Sequence, residues 1–223
     1  MQDWTKLAAD LERLLKLRAI PFGQDGDYQR AAFVARYNAD LANDFGNLVN
    51  RTVSMVKRYL AGERPAASDG GTLRTAWERV LPTYQAHLEG CLLHSALASL
   101  WGFVSAANQL VDAERPWELA KAIKLGGPDA DVAAQRLEAV LGDLVEACRL
   151  LALAGAPFLP ATAPRIFDQL GYAYPYASDG NGGPPLLGEL AWGCHSGESG
   201  RLAEPVPLFP RLEGEAEPVP PAR

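Results

Sequence analysis

Apolar residues recur at three- and four-residue steps over most of this 223-residue chain. Nowhere does a period-two alternation last long enough to build a sheet, so the pattern predicts an all-α fold. Leu7, Leu11, Leu14, Leu15 and Arg18 mark a helix over 4–18, stopped by Pro21 and a turn at 23–27. A second helical region starts near Gln29 and carries Val34, Tyr37, Leu41, Phe45, Leu48 and Thr52, then Met55, Val56 and Tyr59, as far as Gly62. Gly46 weakens its middle and predicts a kink or a change of helix there.

Residues 61–71 read as a loop, followed by a helix over 73–89 that Pro82 is expected to bend. A very apolar helix over 91–112 comes next, with Ala and Ser permitting close contact. Pro116 then fits the first turn of a new short helix. Beyond Gly126-Gly127-Pro128 a long helix is predicted over 129–153, with a spine of Leu137, Leu141, Leu144, Cys148 and Leu151. A final short helix over 162–170 has Gly171 as its stop.

Short loops favour antiparallel neighbours. The expected architecture is thus an antiparallel helical bundle of five or six main helices with an extended Gly/Pro-rich C-terminal segment. We divide the chain into an N-terminal helix at 1–19, the bundle at 20–171, and a segment at 172–223. That segment is anchored at Trp192 and Leu208-Phe209 and frayed at its acidic, Pro-rich end, 213–223.

Charge and rare residues narrow the function. A net charge of −6 and a pI near 5.1 oppose the broad positive field of a DNA- or RNA-coating protein. A site that reads a few bases remains open, because it needs only a local cluster of polar, basic and aromatic groups. Cys91, Cys148 and Cys194 lie far apart and match neither a zinc motif nor a disulfide framework. The expectation is a cytoplasmic protein with no bound metal, no signal peptide and no membrane segment. No Ser/His/acid set, metal-ligand spacing or phosphate-binding Gly loop offers catalysis.

Two places attract a binding role. Asn38, Asp40, Asn43, Asp44, Asn47, Asn50 and Arg51 crowd into one stretch. Asn competes for backbone hydrogen bonds, so this could be a capped break near Gly46, with Asn43 or Asp44 opening a new helix. The other reading is a displayed polar edge. Asn47 and Arg51 are four apart on one helix face, and an amide beside a guanidinium fork can read a base edge or hold a phosphate. Trp117, after a proline at a helix start, either seals the bundle end or stacks on an unpaired base. Lys121 follows on the same face, and Lys57, Arg58 and Arg64 form a modest basic cluster that is either a backbone contact or solvated surface. His87 and His94 read as packed, Cys148 as core, and His195 has no assignable partner.

Several ordered stretches closely resemble the helical anticodon-binding domain of bacterial methionyl-tRNA synthetases, which are class I aminoacyl-tRNA synthetases. They are Pro21-Phe22-Gly23-Gln24-Asp25-Gly26-Asp27, Phe33-Val34-Ala35-Arg36-Tyr37-Asn38-Ala39-Asp40-Leu41-Ala42-Asn43 and Gly46-Asn47-Leu48-Val49-Asn50-Arg51. Asn108 with Glu114-Arg115-Pro116-Trp117-Glu118-Leu119-Ala120-Lys121, the segment from Pro157-Phe158-Leu159-Pro160 to Gln169-Leu170-Gly171, and Pro207-Leu208-Phe209-Pro210-Arg211-Leu212 agree in order and spacing. The resemblance runs from about residue 20 to residue 213.

It implies the class I anticodon-binding type of bundle and a tRNA partner, methionine tRNA with its CAU anticodon. Asn47 and Arg51 would help read anticodon bases, Trp117 would stack on one, and Pro116 would belong to the same surface. Asn108 and Lys121 would support that motif, and Lys57 and Arg58 are candidate phosphate contacts. The parent enzyme ligates methionine to tRNA using ATP. Its His-Ile-Gly-His-like and Lys-Met-Ser-Lys-Ser-like motifs do not occur in this sequence, and residues 1–19 do not resemble the family's junction. The expectation is therefore no catalytic residue and no cofactor in this chain, with a separate catalytic subunit or domain as a further partner. In the family the C-terminal segment folds back toward the catalytic domain, so here it is expected to find nothing on its own chain to dock against. The opposing expectation is a free-standing or repurposed bundle that binds proteins, or tRNA in trans.

Overall fold

A computed structural model describes residues 4–19, 30–69, 71–176 and 187–212. Among these the only strand-like pairing is an isolated bridge between Glu63 and Arg201, and everything else regular is helical. The helices are α1 (Trp4–Ala19), α2 (Arg30–Arg36), a π-helical stretch (Tyr37–Phe45) that runs straight into α3 (Gly46–Tyr59), α4 (Thr72–Glu89), α5 (Leu93–Glu114), α6 (Pro116–Leu125), α7 (Ala130–Gly155) and α8 (Ala163–Leu170). A 3-10 turn at Leu187–Leu190 follows.

The core is organised around α7. Every residue from Val140 to Gly155 is buried, so the C-terminal half of this helix is enclosed on all sides, and along its length α7 packs against α3, α5, α6 and α8. Its polar members there are matched. Arg149, with no exposed side-chain surface, makes a two-pronged ion pair to Glu146 at 2.8 and 2.7 Å and donates to the carbonyls of Glu189 and Ala191. The Asp143 carboxylate accepts from the backbone N–H and hydroxyl of Ser68 in the loop before α4. Cys148 is core as expected, and burial pushes its thiol up to about 12.

α4 runs through Pro82 without ending. α1 packs on α5, and its buried Asp10 accepts from the N–H groups of Ala161 and Thr162, placing an acid at the positive end of α8. Gly171 then stops α8 in the left-handed conformation, φ +69°. A Cβ there would also strike the carbonyl of Arg201, so glycine serves both the turn and the close crossing of the C-terminal segment.

That segment corrects an expectation. It does not lack a surface on its own chain. Gln169 holds Val206 with a reciprocal amide pair, Nε2 to the Val206 carbonyl at 2.9 Å and the Val206 N–H to Oε1 at 3.2 Å. Further on, Leu208 and Phe209 are buried in the main core. Trp192 donates its indole N–H to the carbonyl of Ser68. The expected anchors at Trp192 and Leu208-Phe209 are therefore present. The acidic end at 213–223 and the Gly-rich run at 180–185 lie outside the described residues.

Candidate nucleic-acid interface

The expected change of helix does fall at Gly46, where the π-helical stretch gives way to α3, but no capped break accompanies it. The helix is continuous through it, with φ −64° and ψ −38°, and widens just before it into the π-helical stretch. Neither Asn43 nor Asp44 caps a new helix. The clustered asparagines of this stretch instead grip the returning C-terminal segment. Asn38 donates Nδ2 to the Leu212 carbonyl and accepts the Leu212 N–H, both at 3.0 Å. Asn43 Oδ1 accepts from Arg211 at Nε, 3.1 Å, and at Nη2, 2.7 Å. The Tyr37 hydroxyl donates to the Pro210 carbonyl at 2.7 Å, and burial pushes its pKa up to about 12, which keeps the proton needed for that bond. Phe209 lies against Gly46, where a Cβ would come within 2.8 Å of its ring and 2.7 Å of the Leu41 carbonyl. Gly46 is therefore a close-approach residue, not a hinge.

Beyond this clamp the helix displays Asn47 to solvent. One turn later Arg51 is half-buried, and its Nη2 lies 3.6 Å from Asp112 Oδ1. Asp112 belongs to the last turn of α5, so this pair ties the Asn47/Arg51 face to the corner from which α6 departs. The corner itself is strained. Arg115 adopts the left-handed conformation, φ +46°, closing α5 through its N–H to Val111 and opening α6 through its carbonyl to Glu118. Pro116, buried at the first position of α6, fixes φ for the new helix, and Trp117 follows with 39% of its surface exposed. Arg136 of α7 braces the corner through a two-pronged pair with Glu114.

The predicted residues thus divide. Asn47 and Arg51 on α3 and Pro116 and Trp117 on α6 belong to the same end of α5. Asn108 lies one turn before Asp112 on α5, half-buried. Lys121 is exposed one turn after Trp117, with Glu118 at 3.9 Å. Lys57 and Arg58 are elsewhere. They sit in the last turn of α3, with Lys57 paired to Glu204 of the C-terminal segment and Arg58 over Tyr59. Six residues of helix put Lys57 about 9 Å along the axis from Arg51. Arg64, grouped with them by sequence, is turned inward onto the Tyr172 ring and the carbonyls of Gly171 and Glu198.

Sequence reasoning missed Arg211. Asn43 and Asn47 are one turn apart, so the Asn43 clamp delivers a guanidinium from the far end of the chain beside the displayed amide. The only sequence signal was the ordered run 207–212, which says nothing of where it docks.

Comparison with known proteins finds similarity to methionyl-tRNA synthetases. A family model described as tRNA synthetases class I (M) matches residues 2–53, a stretch that takes in α1. The methionine–tRNA ligase of Enterococcus faecalis is 35% identical over 213 residues, covering 93% of this chain and 29% of that protein. The enzyme of Streptococcus pyogenes serotype M3 is 34% identical over 95% of this chain and 30% of its own length. Among solved structures, the apo form of Mycobacterium tuberculosis methionyl-tRNA synthetase superposes with a TM-score of 0.78 at 29% identity, over 94% of this chain and 40% of that one. The same enzyme in complex with methionyl-adenylate gives 0.76 at 30% identity, over 93% and 38%. The chain spans less than a third of the length of these curated relatives. Among the described residues no helix is long and apolar enough to cross a membrane.

Proposed function

We propose that this chain, a relative of the methionyl-tRNA synthetases, recognises the CAU anticodon of methionine tRNA and is a non-catalytic part of such an enzyme. The helical architecture is then of the class I anticodon-binding type. Activation of methionine with ATP and its ligation to tRNA fall to those parts of the relatives with which this chain does not align. The observation that carries the reading is the corner at the end of α5. An indole 39% exposed is held there by a left-handed residue and a buried proline, while an ion pair to the same turn of α5 brings in the Asn47/Arg51 face.

Each group has a task suited to a single-stranded loop. Trp117 offers a face for one unstacked base. Asn47 presents a donor and an acceptor to a base edge, and Arg51 a donor fork. Arg51 is poised and not locked, because its partner Asp112 is largely exposed and the 3.6 Å pair is loose. Pro116 fixes the direction in which Trp117 leaves the corner. Asn108 and Lys121 support the site from α5 and α6, and Arg211 adds a cation from the docked segment. Lys57 and Arg58 are too far along α3 to share the same bases, so any phosphate they meet belongs to a different part of the tRNA. Concentrating the few relevant cations at one corner reconciles RNA recognition with a net charge of −6.

Ultraviolet cross-linking of bound methionine tRNA, followed by mass spectrometry of the peptides, tests the placement. Adducts from the anticodon loop should fall on the first half of α3 and the first turn of α6. Adducts confined to other helices, as a repurposed protein-binding bundle would give through casual contact, would sink the reading.

A further inference from the structure

We infer that Glu189, Cys194 and His195 form a binding site for a divalent cation of the zinc type. One ligand atom from each, a carboxylate oxygen, Sγ and an imidazole nitrogen, lies within 4.8 Å of the other two. Zinc bonds of about 2.0–2.3 Å require tetrahedral edges of roughly 3.3–3.8 Å. The longest separation in the trio must therefore close by up to about an ångström while the Glu189–His195 pair, 2.8 Å apart, opens by about half that, rotamer adjustments for partly exposed side chains. Oxygen, thiolate and imidazole together suit zinc, and with three protein ligands water fills the fourth position.

The arrangement around His195 points the same way. Its Nδ1 lies 2.6 Å from Glu198 Oε1 and its Nε2 lies 2.8 Å from Glu189 Oε2. A carboxylate on one ring nitrogen with a ligand carboxylate at the other is the outer-shell pattern that orients a metal-binding histidine. Glu198 would keep the proton on Nδ1 and leave Nε2 to the metal. No partner of His195 could be read from the sequence because the useful spacing is three residues forward and six back, with the acids in a stretch that reads as loop.

The backbone under the site is held independently of any metal. Arg149 donates to the carbonyls of Glu189 and Ala191, Trp77 donates its indole N–H to the Leu190 carbonyl, and the Gly193 N–H reaches Glu146. The charge of Arg149 is matched by Glu146, so Glu189 and Glu198 keep a local negative balance next to the Tyr172 ring and Arg64. Cys194 is exposed, which leaves a path for the ion from solvent. A bound cation would fasten the segment at 187–198 to itself where it crosses α7, some distance in sequence from the RNA-binding corner and independent of it.

The test uses the whole chain freed of metal with a chelator. Zinc titrated against a chromophoric competitor should bind one ion per chain. Cobalt should show the near-ultraviolet charge-transfer band of a thiolate ligand. Cys194→Ser should abolish that band, and both it and His195→Gln should weaken zinc at least tenfold. Glu198→Gln should weaken it by about 10–100-fold through the outer shell. Cys91→Ser, at the other exposed cysteine, should change nothing. Far-ultraviolet circular dichroism verifies folding, and the solvent-exposed Cys194→Ser stands if His195→Gln does not fold. Absence of binding, binding indifferent to Cys194→Ser, or loss of the band in Cys91→Ser would each overturn the site.

Discussion

Trp117 and Gly46 show how differently two conspicuous residues are used. Trp117 leaves much of its ring in water, so Trp117→Ala should cost little folding stability yet remove base stacking, about 1–3 kcal/mol of tRNA affinity. Urea unfolding and tRNA titration on the same sample separate the two effects. A variant that loses several kcal/mol of stability would mean the indole is structural. Gly46 predicts the reverse. Gly46→Ala drives a methyl into the Phe209 ring and the Leu41 carbonyl, so it should lower stability and speed proteolysis within 203–212, without first touching a base contact. Pro116-Trp117 at a helix start left the indole either sealing the bundle end or facing a base, and its 39% exposure was not legible from the sequence. Nor was the role of Gly46, because helix propensity registers a missing side chain as weakness and is blind to a ring arriving from 163 residues away. The asparagine cluster misled for the same reason. Its amides hold the Leu212 backbone and the Arg211 guanidinium, groups that no local rule connects to residue 38 or 43.

At the scale of helices, α7 illustrates what periodicity can and cannot deliver. Its spine from Leu137 to Leu151 was readable. Enclosure on every side was not, because Asp143, Glu146 and Arg149 look like an exposed face until their partners at Ser68 and 189–191 are in place. Arg149→Met leaves Glu146 buried and unpaired, and the expected loss is about 3–5 kcal/mol in chemical unfolding. Converting both members to apolar residues should recover much of it.

Buried carboxylates in these helices also set a pH dependence. Burial raises the pKa of Asp10, Asp44 and Asp143 above the usual aspartate value, outweighing the hydrogen bonds that Asp10 and Asp143 accept. A proton held more tightly when folded makes stability rise as pH falls through the raised value, with the full gain reached below the unfolded value near 3.8. Urea midpoints should therefore hold or increase on mild acidification from neutrality. Asp143→Asn should remove its share of the slope. A steady decline from neutral pH downward would contradict this assignment.

For the molecule as a whole, the C-terminal segment packs back onto the helices and reaches the corner proposed to bind RNA. It returns from α8 past Gly171, is held at Gln169, and brings Arg211 onto Asn43, one turn from the displayed Asn47. Fold class and most helix limits were legible in the sequence because hydrophobic periodicity is local. The docking of this segment was not, since extended Gly/Pro-rich chain carries no period that names its partner. Whether this corner reads an anticodon is decided by titrating the chain with two stem-loops at moderate salt, one carrying CAU and one with a changed anticodon base. Binding to CAU should be clearly tighter, with the preference reduced in Asn47→Ala, Arg51→Ala and Trp117→Ala. Equal affinity for both stem-loops, vanishing together as salt is raised, would contradict anticodon recognition.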